Sequence, residues 1–301
     1  MEGPTFKEKI ILEKIKTFFK KLVSPIKWIL IIALGIGLGN ILATPVTNWY
    51  SSYTSGDSFL SGSDEYINED CTVTGINLHG TVMTYIPEHA EGDPSVDYDV
   101  VGSENVLWSI QNANENPNIK AIVVEVDSVG GSPVAGEEIS NAVKNSEKPI
   151  VAFIRDIGAS SAYWSISSAD RIWASKNSDV GSIGVTMSYL NNVKKNKEEG
   201  YVYEQLSSGK FKDSGSPDMS LTKEEKDLFM RDVNIIYENF VKAVSDNRKI
   251  PIEEVKKFAD GSTVLGEKAK ELGLIDEIGG INEVEKYLEE TIGKKPEICW
   301  E

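Results

Sequence analysis

A chain of 301 residues holds one large domain or two small ones plus attachments, and 26% charged with 40% hydrophobic residues gives it enough apolar matter for a core, excluding wholesale disorder. A formal charge of −16 speaks against nucleic acid, which needs a broad cationic face. Two histidines, His79 and His89, and two widely separated cysteines, Cys71 and Cys299, exclude a dense zinc site and a CxxC redox motif, so neither a metal nor a cofactor is expected.

Residues 1–27 carry seven lysines against three glutamates, a balance of +4, and FKEKIILEKIKTFFKKLV spaces its lysines and apolar residues at helical intervals. That pattern predicts a basic amphipathic segment on the inner leaflet of a membrane. An uncharged, largely apolar run follows over 28–50, with Trp28 at one end and Trp49-Tyr50 at the other. At a helical rise of roughly 1.5 Å per residue the aromatics stand about 33 Å apart, enough to span a bilayer. Ile41-Leu42-Ala43 makes a poor small-x-small cleavage site, so the expectation is a retained single-pass anchor. Lysines before the span and acid after it place the N-terminus in the cytoplasm and the remainder outside the cytoplasmic membrane. Residues 51–70, rich in Ser, Gly, Asp and Asn, read as a solvated stalk leading to a domain over 71–301. Outside the cytoplasm Cys71 and Cys299 either pair or stay separate thiols; spacing does not decide between them.

From Cys71 onward short apolar runs alternate with helical patterns. Strands are predicted at 72–79, 82–86, 121–126 (AIVVEV), 149–154 (PIVAFI), 171–174 (RIWA) and 201–206 (YVYEQL), with AIVVEV and PIVAFI continuous enough for buried parallel strands. Helical patterns occupy 103–115, 133–145, 160–168 and 188–199. Thr222 and Glu225 form a capping box opening a long helix with Leu228, Phe229, Val233, Ile236, Phe240 and Val244 along its apolar stripe. The alternation predicts an α/β domain with a helical C-terminal extension.

Two segments offer chemistry. In VEVDSVGGSPVAGEE (124–138) a strand ends at Asp127 and Gly130-Gly131 turn toward a helix that Ser132 caps and Pro133 begins. Adjacent glycines let backbone N–H groups converge on an anion, a phosphate or an oxyanion, but Asp127 and the missing Lys-Ser/Thr disfavour phosphate. An ordinary strand-to-helix turn fits equally well. In PIVAFIRDIGASSAYWSISSADRIWA (149–174) a strand meets a loop of small residues, and Ser160 falls at a helix N-terminus, with Ser161, Ser165, Ser167 and Ser168 competing. A serine nucleophile needs a base. His79, in a strand candidate, and His89, in an acidic loop, are not excluded by chain order; the other candidate is a lysine kept neutral by burial. SSGKFKDSGSPDMS (207–220) offers Lys210 and Lys212, which as residues alone read first as surface cations on a solvated turn.

Taken together and in order over roughly 72–290, these segments resemble the signal peptide peptidase A family, membrane-anchored Ser-Lys peptidases related in fold to the Clp protease/crotonase superfamily. The family's D-S-P-G-G-S turn appears as Asp127 to Ser132 with Val129 for proline. Its G-D-V-A-A-S-G-G-Y-Y stretch appears as Arg155 to Trp164, A-D-K-I as Ala169 to Ile172, and G-S-I-G-V as Gly181 to Val185. S-G-x-x-K-D appears as Ser208 to Asp213, A-D-G as Ala259 to Gly261, and G-E-x-A-x-E-L-G-L-I-D-E-I-G-G as Gly266 to Gly280.

The resemblance implies a repeated β-β-α superhelix, Ser160 as nucleophile and Lys212 rather than Lys210 as base. It also implies an oxyanion site at Gly130 or Gly131 with a backbone N–H near Ser160 (Ser161), and Ser182 orienting the lysine. It further implies homo-oligomeric rings or domes in which one site draws on two subunits, acting on hydrophobic peptides such as signal-peptide remnants. Arg155 stands where a small residue is usual, and Ser161-Ala162 replace a glycine pair, so Ser161, Ala162 and Trp164 are expected either to narrow the cleft or to alter the backbone geometry. A regulatory peptidase cleaving one membrane partner, or a silent scaffold of the same fold, are the alternatives.

Overall fold

The computed structural model describes residues 71–86 and 99–301. The expected inner-leaflet segment, anchor and stalk, and His89, lie outside the described residues. Among the described residues no helix is long and apolar enough to cross a membrane.

Three long parallel strands make the spine: β1 (Val73–Met83), β3 (Ala121–Gly131) and β4 (Ile150–Ala159), with β2 (Val100–Gly102) against the end of β1. Their side chains alternate between two cores. Ile122, Val124 and Val126 of β3 and Ile150, Ala152 and Ile154 of β4 enter one; Ala121 and Val123 with Val151 and Phe153 enter the other. Burial on both faces is the reason these strands read as nearly unbroken apolar runs. The first core is covered by α1 (Ser103–Glu115), α2 (Pro133–Lys144), α3 (Ser161–Ile166) and the C-terminal half of α5 (Lys223–Arg248). The second is closed by α8 (Ile281–Ile292), whose Val284 and Leu288 are fully buried. Each such side chain contributes about 1.5–3 kcal/mol.

The outer two spine strands change neighbours halfway. β1 begins against β9 (Ile298–Trp300) and ends against β2; β4 begins against β5 (Arg171–Ala174) and ends against β6 (Asp179–Gly181). Register shifts at His79/Thr81 and Val126/Ser128 fall at this changeover, where a bulge bends the strands. One half of the sheet therefore runs β9-β1-β3-β4-β5-β8 and the other β2-β1-β3-β4-β6-β7, with β7 at Thr263–Leu265 and β8 at Glu277–Ile278. Only the β6–β7 pair is antiparallel among the described strands. Short helices α4 (Val193–Glu198), α6 (Ile252–Val255) and α7 (Gly266–Glu271) complete the described elements.

The α/β reading and the helical C-terminal region agree with this architecture, and helix 103–115 and strand 171–174 fall where the pattern put them. Strands 72–79 and 82–86 are one strand through Gly80. YVYEQL is not a strand: Tyr201, Val202 and Leu206 are 68%, 83% and 97% exposed, with neither a pairing edge nor a core beneath them. The expected helix at 188–199 shrinks to α4 for the same lack of a packing face. From Gly184 through Glu224 no residue is buried. The apolar stripe of α5 is likewise only partly used: Phe240 and Val244 are buried, while Leu228, Phe229, Val233 and Ile236 are not. The cysteines are paired, Cys71 to Cys299 with Cα atoms 5.9 Å apart, closing the chain across the β1–β9 edge.

Candidate active site

Parallel pairing of β3 with β4 fixes the site's geometry. Ser128 pairs with Gly158, so two residues further on Gly130 stands beside Ser160. A Cβ on Gly130, whose φ is +97°, would lie 2.7 Å from Ser160 Cβ and 2.8 Å from the Ala159 carbonyl oxygen, and only glycine allows so close an approach. Ser160 turns from β4 into α3 with φ 54° and ψ −129°, a strained conformation for a residue with a side chain. Sharp strand-to-helix turns of this kind push a nucleophilic hydroxyl out ahead of the chain. The Ser160 N–H donates to the Gly181 carbonyl at 2.7 Å, and the residue after Gly181, Ser182, also has positive φ, 50°. Adjacent strands thus bring Gly130, Ser160 and Ser182 together.

The Gly130 N–H donates to Ser128 Oγ at 3.0 Å, and Ser128 Oγ in turn donates to the Gly80 carbonyl at 2.5 Å. Among the expected oxyanion donors Gly130 is therefore already engaged, which leaves the backbone of Gly131 and of Ser161. The Ser161 hydroxyl is buried without a hydrogen-bond partner among the described residues, and its Cβ presses on Gly136 of α2, where a Cβ would come within 2.9 Å. Only the Ser161 backbone faces Gly130. Neither Ala162 (0% exposed) nor Trp164 (4%) narrows a cleft: both point into the first core, where Trp164 stacks on Phe240 at 4.7 Å between ring centroids. Tyr163 is fully buried, donates to the Leu274 carbonyl at 2.9 Å, and its phenol is pushed well above its usual range by burial. Ser182 Oγ donates to the Gly261 carbonyl at 2.8 Å, which gives the Ala259–Gly261 motif a structural task.

His79 Nε2 lies 3.1 Å from Glu125 Oε1, an oxygen that also receives Arg155 Nη1 at 2.8 Å. His79 is tied into a cross-strand cluster, and Arg155 has its reason there. Lys210 pairs with Glu224 at 2.5 Å and lies over the Phe211 ring, whereas Lys212, in the exposed turn after Ser208, has no ion-pair partner among the described residues. No hydrogen bond joins Ser160 to Lys212 among the described residues of the protomer. Ser128, Gly136 and Glu225 carry no site signal of their own in the sequence. Ser128 sits inside the glycine motif, and Gly136, an unfavourable residue within a helix, is the kind of signal that marks close packing.

Comparison with known proteins gives this arrangement relatives. A Methanocaldococcus jannaschii protein designated a protease is 36% identical over 63% of this chain and 62% of its own. Protease 4 of Haemophilus influenzae is 27% identical over 77% of this chain and 36% of its own length. The chain thus spans less than two thirds of either relative. A Synechocystis protein, also designated a protease, is 32% identical over 65% of this chain and 72% of its own. Among solved structures, a ClpP1 mutant from Listeria monocytogenes superposes with a TM-score of 0.45 at 14% identity, covering 72% of this chain and 95% of that one. The model of peptidase family S49 matches residues 142–295, an interval that holds both Ser160 and Lys212. The chain belongs to peptidase family S49.

Proposed function

We propose that this chain is a serine endopeptidase of the signal peptide peptidase A type, with Ser160 as nucleophile and Lys212 as general base. The observation that carries the reading is the strained turn at Ser160, pressed by Gly130 and set at the mouth of α3. Neutral Lys212 takes the Ser160 proton as Oγ bonds to the peptide carbonyl carbon. The oxyanion so formed takes hydrogen bonds from the Gly131 and Ser161 amides. Collapse expels the amine, which leaves with the proton from Lys212, and water releases the acyl group by the same steps. Ser182, with lone pairs still open after donating to Gly261, orients the amine.

The base comes from a neighbouring copy. Lys212 lies in a stretch with no buried residue and with Met187, Leu190, Val202, Leu206 and Phe211 exposed, apolar side chains that a partner surface would cover. Covering them would remove water from the lysine, and a desolvated ammonium gives up its proton more readily, leaving the neutral amine a base needs. The Cys71–Cys299 pair supports an oxidising location outside the cytoplasm, and the 28–50 run an anchor in the membrane. Substrates are then extended hydrophobic peptides released near that membrane.

Complementation tests this directly. Ser160→Ala and Lys212→Ala proteins should each be inactive on a fluorogenic hydrophobic peptide, and unfolding and reassembling the two together should restore a fraction of wild-type turnover. Full activity in either variant alone overturns the dyad; inactivity of every mixture overturns the shared site.

A further inference from the structure

Glu225 is the one charged residue that is buried among the described residues, at 4% exposure. It sits in the first turn of α5, at the edge of the long excursion in which nothing else is buried. A carboxylate withdrawn from water is unfavourable unless hydrogen bonds replace the solvent. Here they do. Oε2 accepts from the Thr222 N–H and from Thr222 Oγ1, each at 2.8 Å, and Oε1 accepts from Ser214 Oγ at 2.8 Å. The first of these bonds is half of the capping box, whose other half is the Glu225 N–H donating to Thr222 Oγ1 at 3.2 Å. The Ser214 bond is no part of the box: it reaches out of the helix to a residue two positions beyond Lys212. Phe229, one helical turn further along α5, meets the same turn at Gly215, where a Cβ would come within 3.4 Å of its ring.

A helix cap alone does not call for burial, since capping boxes work at exposed helix ends. What the buried carboxylate adds is a clasp on the chain that carries the lysine. We infer that Glu225 is a positioning residue for Lys212, fastening the Ser208–Gly215 turn to the start of α5 through Ser214 and so fixing the direction in which the amine is presented. The inference rests on the reading of Lys212 as the base. It has a physical motive: a lysine delivered to another protomer gains no support from its own Ser160, so its own chain must hold it before assembly. The bonds from the Thr222 amide, then from Ser214 and the Thr222 hydroxyl, hold the Glu225 carboxyl below the usual carboxylate range, so the clasp is ionised at neutral pH.

Steady-state kinetics of the full-length, assembled protein on a fluorogenic hydrophobic peptide separate this role from capping. Ser214→Ala and Glu225→Ala should each lower kcat about tenfold or more with KM little changed, because a catalytic group displaced by an ångström loses rate before affinity. Glu225→Gln, which can still accept from the Thr222 amide and donate to Ser214, should recover most of that loss. Thr222→Ala removes the cap but not the Ser214 bond; it should lower the melting temperature and leave kcat near wild type. Wild-type kcat in Ser214→Ala, or an equal fall in Thr222→Ala, overturns the inference even where Lys212→Ala is inactive. Full activity in Lys212→Ala instead overturns the dyad beneath it. Should Glu225→Ala fail to fold, Ser214→Ala decides alone.

Discussion

Ser160 occupies a backbone region that costs a residue with a Cβ about 1–3 kcal/mol, and its φ of 54° is held by the Gly181 carbonyl on one side and Gly130 on the other. Replacement by glycine should therefore abolish peptide cleavage and yet give a protein more stable than Ser160→Ala by about 1 kcal/mol, read by denaturant titration. A Ser160→Gly protein less stable than Ser160→Ala would mean that the turn is not strained. Gly130→Ala is the converse case. The added methyl meets Ser160 Cβ at 2.7 Å and must adopt a φ of +97°, so both stability and activity should fall, activity by about a hundredfold or more. Ser128 explains why the effect is local: its hydroxyl pins the Gly130 amide to the Gly80 carbonyl, so the glycine's surroundings cannot slide aside to admit the methyl.

At the scale of elements, α3 is anchored by its own contents rather than by length. Six residues make a marginal helix, and what holds it is the stack of Trp164 on Phe240 together with the Tyr163 bond to Leu274. Phe240→Ala should cost about 3–5 kcal/mol, and its melting curve should shift together with a loss of Ser160 labelling by a phosphonate probe. The start of α5 carries a pH dependence. Because the folded-state pKa of Glu225 is depressed, its contribution is whole above the unfolded value of about 4.3 and is lost as the pH falls through the lower folded value. Hydrogen exchange in residues 208–216 should accordingly stay slow from neutral pH down to that unfolded value and accelerate only in stronger acid, once the separate acid dependence of exchange is subtracted.

For the whole molecule the decisive feature is the imbalance between a spine buried on both faces and an excursion, 184–224, with nothing buried at all. Assembly of the kind proposed above would cover its exposed Leu190, Val202 and Leu206. Turnover per protomer should therefore fall on dilution, with sedimentation reporting dissociation over the same concentration range. Constant specific activity down to a demonstrably monomeric state would confine catalysis to one chain.

The spine, the α/β alternation and the order of the motifs are legible in the residues alone. AIVVEV and PIVAFI are nearly unbroken in their apolar character because both their faces are covered, and a capping box of Thr222 and Glu225 announces a helix whatever lies around it. Those are local consequences of composition and period. Sequence failed where the outcome depends on a neighbour distant in the chain: YVYEQL has strand-like residues but no edge to join, Trp164 looks like a cleft wall but faces Phe240, and the two cysteines meet because β9 returns to β1. Glu225 is the sharpest instance. As letters it is a helix cap; only the folded turn that lays Ser214 across it shows a buried carboxylate, because burial belongs to the whole assembly of elements and hydrogen-bond partners, not to the residue that undergoes it.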